Sequence, residues 1–148
     1  AFMAQELIAA HGIDVADGYL IVVGRLDIDE NTWQPFSQGK FTEYIYDNNG
    51  DYTITLLGDG PNAEQRNMAR LAAGLGYNRY TDRLNSISDS SKITYVYGDR
   101  DEQVGPLSTL EIQFLNGKGA KVVLADGGNH DAAIGVGLHL LKQTFEIQ

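Results

Sequence analysis

The chain has 148 residues and a mass of 16.2 kDa, a length that leaves no room for two full domains but lets roughly 68–70% of the unfolded surface be buried. Its 43% apolar and 21% charged residues, with a mean hydropathy of −0.25, exclude a disordered or fibrous chain. Eleven basic residues against 20 acidic give −9 at pH 7 with no run where Lys and Arg collect, which argues against nucleic acid or an anionic membrane surface as partner; no apolar run reaches the roughly 20 residues of a membrane span, and the absence of cysteine removes disulfides and thiol catalysis.

Phe2, Met3, Leu7 and Ile8 recur at helical spacing through Phe2–His11, and Gly12 stands where a helix ends. The run Tyr19-Leu20-Ile21-Val22-Val23, closed by Gly24, reads as a strand buried on both faces, the habit of parallel sheets. Residues 27–40 turn polar, with Pro35, Ser37 and Gly39 as breakers, and read as a surface connection. Phe41–Tyr46 and Tyr52–Leu57 flank Asp47-Asn48-Asn49-Gly50-Asp51, whose Asn-Gly predicts an antiparallel hairpin. Residues 63–75 predict a helix with Met68, Leu71, Ala72 and Leu75 on one face, whereas 77–91 carry no assignable pattern. Alternation then returns: strand Ile93–Tyr97, helix Pro106–Leu115, strand Lys121–Leu124 and helix Ala132–Phe145 with an Ile134, Leu138, Leu141, Phe145 stripe. The expected fold is therefore α/β, three parallel strands flanked by helices, with residues 27–91 inserted as a β-hairpin lid or cap.

Open α/β sheets keep their sites beyond the carboxyl ends of the strands. Two such ends carry acid and imidazole groups. Strand 93–97 runs into Gly98-Asp99-Arg100-Asp101-Glu102, and strand 121–124 into Ala125-Asp126-Gly127-Gly128-Asn129-His130-Asp131. Adjacent parallel strands would bring Asp101 and His130 to one edge, where a carboxylate can orient an imidazole as general base. Asp99 reads as a turn organiser, His11 as a helix-end residue and His139 as a solvated one.

Gly98-x-x-Asp101-x-x-Val104 followed by His130 and a last helix resembles the acid and histidine segments of the α/β-hydrolase family. That family orders its triad Ser, acid, His, with the Ser on a G-x-S-x-G elbow. Ala1-Phe2-Met3-Ala4-Gln5-Glu6-Leu7 resembles the helix that follows such an elbow, while the elbow itself is missing; Ser37, in Pro35-Phe36-Ser37-Gln38-Gly39, lacks the strand and helix that would expose it. The resemblance implies the carboxyl-terminal part of a serine hydrolase acting on carboxylic esters or thioesters, over residues 1–148, without cofactor. Asp101 and His130 would be catalytic, and the aromatics Trp33, Phe36, Tyr44 and Tyr46 would line an acyl pocket. It also implies a complementary polypeptide carrying the nucleophile, or self-association along the first strand's bare edge.

Two other readings stand beside it. Gly98-Asp99 and Gly128-Asn129-His130-Asp131 also resemble motifs of calcineurin-like metallophosphatases, although the further metal ligands are lacking. Asp47-x-Asn49-x-Asp51 has the opening spacing of a calcium loop without its terminal Glu, and the hairpin turn accounts for the same residues. A non-catalytic α/β binding module is the reading that the missing nucleophile favours.

Overall fold

The computed structural model describes residues 1–145. In chain order it contains α1 (Phe2–His11), a 3-10 turn (Ile13–Val15), β1 (Tyr19–Val22), α2 (Glu30–Ser37), β2 (Lys40–Tyr46), β3 (Tyr52–Asp59), α3 (Ala63–Gly76), α4 (Tyr80–Arg83), β4 (Ile93–Gly98), α5 (Thr109–Gly117), β5 (Lys121–Ala125) and α6 (His130–Phe145). β1, β4 and β5 form one parallel sheet in that order, and β2 and β3 form a separate antiparallel pair.

Strand alternation sends Tyr19, Ile21, Ile93 and Tyr95 to one face, where they form the main core with Ile8 of α1 and Leu115 of α5. The opposite face takes α6. Its Gly137 lies so close to β1 that a Cβ there would stand 2.6 Å from a methyl of Val22, and the neighbouring Ala133 is fully buried. The small residues, not the expected stripe, therefore seat this helix: Leu138 is left 56% exposed, and the side chain of Phe145 lies outside the described residues.

Three further expectations change on the same physical ground. The polar stretch 27–40 holds α2, started by the Asp29 carboxylate accepting from the Asn31 N–H and continuing through Pro35; its buried Thr32 and Phe36 are too few for a visible stripe. On α3 the buried residues are Ala69, Ala73 and Gly76, with Met68 and Leu71 exposed, because the helix meets Phe36 and Ile28 at a separation only small side chains permit. The helix expected from Pro106 starts at Thr109, where Ser108 and Glu111 form a reciprocal capping box. Within the unassigned 77–91, Tyr80 of α4 is fully buried, its hydroxyl donating to Glu6 at 2.9 Å.

Glu111 does more than cap. Its Oε1 accepts from the N–H groups of Leu26 (2.7 Å) and Asp27 (2.9 Å), its Oε2 from that of Ser108 (2.7 Å), and the Arg25 guanidinium meets it at 2.9 Å. One carboxylate, 1% exposed, thereby ties the segment after β1 to the start of α5. Replacing it by Ala would leave Arg25 charged in a site where it is 6% exposed. Glu111→Ala is therefore expected to lower the unfolding free energy by about 3–5 kcal/mol, read from urea denaturation; an unchanged midpoint would contradict this account.

Candidate functional site

β4 and β5 end in register, Gly98 opposite Ala125, so the two loops that follow start side by side. They stay together. The Arg100 N–H donates to the Gly128 carbonyl at 3.1 Å, and the carbonyls of Gly128 and Asn129 cross directly over Gly98, where any Cβ would collide with them. Asn129 then starts α6, its Oδ1 accepting from the Ala132 N–H at 2.9 Å, which makes His130 the first residue of the helix.

Asp101 is 1% exposed. Its Oδ1 accepts the backbone N–H groups of Gln103 (2.9 Å) and Val104 (3.0 Å), and its Oδ2 lies 2.8 Å from His130 Nδ1. The neighbouring Glu102 turns back, its Oε2 accepting the His130 backbone N–H at 3.1 Å. Since an ionised carboxylate only accepts, Nδ1 is the donor, and the neutral ring carries its lone pair on Nε2. Among the described residues none hydrogen-bonds that Nε2. The hydrogen bond to Asp101 raises the His130 pKa above its ordinary value; partial burial opposes the shift, and the charges of Asp101, Glu102 and Asp131 add to it.

The hairpin fixes this loop from above. The Tyr46 hydroxyl donates to the Asp101 carbonyl at 2.8 Å, and the Tyr44 N–H to the Glu102 carbonyl at 2.8 Å. Gly105, at φ 77°, lies against the Tyr44 ring, where a Cβ would come within 2.5 Å of it. The Tyr44 hydroxyl itself pairs with Thr32 at 2.7 Å. Glu102 and these tyrosine contacts were not signalled by the sequence beyond the adjacency of Glu102 to Asp101. Backbone strain sits nearby as well: Val23, just past β1, adopts φ 49°, a region β-branched residues avoid.

Other candidate residues are dispersed. Beside the hairpin lies a cavity of about 570 Å³ lined by Phe36, Phe41, Leu57, Met68 and Ala72, with Gln103 and Val104 of the acid loop in its wall. Of the four aromatics expected around an acyl pocket, Phe36 borders this cavity; Trp33 packs edge-on against Tyr77, and Tyr44 and Tyr46 make the contacts above. Ser37 ends α2, its hydroxyl donating to the Gln34 carbonyl. Asp99 Oδ1 is buried without a protein partner. His11 is exposed at the end of α1, and His139 pairs with Gln143 at 2.9 Å. Asp47 accepts the N–H groups of Asn49 and Asp51 within the hairpin turn. Among the described residues no three His, Asp or Glu side chains gather as a metal site, and no helix is long and apolar enough to cross a membrane. Comparison with family models, curated proteins and solved structures finds no match to this chain.

The pair has a definite pH signature. A folded pKa above the ordinary value of about 6.5 stabilises the protein fully below that value and loses the contribution as pH rises through the folded pKa. Unfolding free energy should therefore fall across that window, and Asp101→Asn should flatten the fall and return the His130 pKa towards the ordinary value, as read by NMR titration of the ring. A Gly98→Ala chain should show a similar loss of the raised pKa, because the displaced 127–129 loop carries His130 away from Asp101.

Proposed function

We propose that Asp101 and His130 are the acid and general base of a serine-type hydrolase of the α/β-hydrolase kind, acting on a carboxylic ester or thioester. The observation that carries this reading is the 2.8 Å Nδ1 to Oδ2 contact on a carboxylate that two backbone N–H groups already hold. That arrangement fixes the carboxylate and orients the ring, with Nε2 free for a substrate-directed proton transfer. The parallel order of β1, β4 and β5, with both residues beyond the carboxyl ends, supports it too. Residues 27–91 then act as the cap, and the nucleophile comes from a segment or polypeptide outside residues 1–148.

In the forward step His130 Nε2 takes the serine hydroxyl proton as Oγ bonds to the carbonyl carbon. His130 then hands that proton to the departing alcohol or thiol as the acyl–oxygen or acyl–sulfur bond breaks. Water repeats the sequence on the acyl-enzyme, returning serine and free acid. Asp101 remains an anion throughout and offsets the imidazolium charge.

Native mass spectrometry of the isolated protein asks whether a nucleophile-bearing polypeptide or a second copy accompanies the chain. In that assembly a serine-directed phosphonate should label the partner serine, and ester hydrolysis should survive chelators. His130→Ala should lower the rate about 10⁶-fold. A lone 16.2 kDa chain with no labelling would make the binding module the better reading, and activity lost to chelators alone would favour the metallophosphatase.

A further inference from the structure

The 570 Å³ cavity between the hairpin, α2 and α3 falls within the volume range of small-molecule sites. Phe36, Phe41, Leu57, Met68, Ala72 and Val104 make most of its wall apolar. Thr42 also lines it. This residue is 5% exposed, and its hydroxyl has no hydrogen-bond partner in the protein. Buried hydroxyls are nearly always paired; Thr32, one element away, pairs with Tyr44. Thr42 further borders a second cavity of about 380 Å³ whose wall includes Asp29, Asn31 and Tyr52. An apolar cavity and a more polar one thus both border Thr42.

We propose that this is a binding site for a neutral amphiphile, with an alkyl or acyl chain in the larger cavity and an uncharged oxygen of the head group hydrogen-bonded to Thr42 Oγ1. A carboxylate head is unsuited to it. Asp29, although it accepts the Asn31 N–H, places a negative charge in the adjoining wall, and the chain as a whole carries −9. Gln103 and Val104 belong both to this wall and to the turn that holds Asp101. On the hydrolase reading, the amphiphile is the acyl portion of the ester.

Binding needs no nucleophile, so the 148-residue chain itself can be tested. Titration with 1-octanol, followed by the methyl NMR signals of Leu57, Met68 and Val104, should give saturable shifts centred on these residues. Octanoate, ionised under the same conditions, should bind at least about tenfold more weakly. Thr42→Val should weaken octanol about tenfold while raising the thermal midpoint, since it removes one partner of the ligand and an unpaired buried hydroxyl together; a hydroxyl with a merely structural role would leave octanol affinity unchanged. Met68→Glu, at a position 61% exposed, puts a charge at the cavity lip without burdening folding and should also weaken octanol. No saturable binding, octanoate binding as tightly as octanol, or unchanged octanol affinity in folded Thr42→Val or in Met68→Glu would overturn the proposal. Octanol binding in a chain whose His130 titrates as an ordinary histidine would uphold this site and remove the hydrolase reading instead.

Discussion

A carboxylate taken out of water is stable only where its oxygens find donors, and the Asp101 carboxylate finds all of its donors within a few residues of sheet edge. Two come from the backbone of its own turn and one from the first side chain of α6. For these to converge, β4 and β5 must end in register, the 127–129 loop must cross Gly98 with no side chain in the way, and Asn129 must start α6 at this point. Each requirement is a local preference of the sequence. Together they leave the imidazole one orientation, with Nδ1 turned inward.

The parallel core and the Asp101–His130 pair were legible in the sequence because both rest on short-range patterns. Continuous apolar runs mark β1, β4 and β5, and the glycine-rich loops after them mark the carboxyl edge. The buried faces of α3 and α6 were not legible. Periodicity weighs Met68, Leu71 and Leu138 as core, yet the helices approach through Ala69, Ala73, Ala133 and Gly137, where closeness rather than side-chain size fills the space. Glu111 was hidden for a related reason: a charged residue in an amphipathic helix reads as solvent-facing, and two of the three N–H groups that hold it lie 84 and 85 positions earlier in the chain.

The two buried carboxylates divide the labour. Glu111 joins the segment following β1 to α5 and balances the Arg25 guanidinium, so its interactions are complete within the protein. Asp101 instead spends one oxygen on an imidazole whose other nitrogen has no hydrogen-bond partner among the described residues. The Asp101 network therefore ends on an acceptor, His130 Nε2, that none of the described residues fills. That asymmetry separates a structural ion pair from a site poised towards something else, and it is the reason the pair, rather than the equally buried Glu111, carries the functional reading.

The hairpin's attachment constrains how such a site could work. Tyr44 and Tyr46 bond to carbonyls of the acid loop, while Phe41 and Thr42, a few residues back on the same strand, border the large cavity. The Tyr44 ring also occupies the space above Gly105, which prevents the loop from sliding under the hairpin. A hinge motion that lifted β2 away from the acid loop would break the hydrogen bonds to Asp101 and Glu102. Entry is therefore easier from the side where Leu57 and Met68, 62% and 61% exposed, meet solvent than through any opening of the hairpin. Gln103 and Val104, whose backbone N–H groups donate to Asp101, stand in the wall of that same cavity. The turn that orients His130 through Asp101 is therefore also part of the cavity's wall, with its hydrogen bonds already in place.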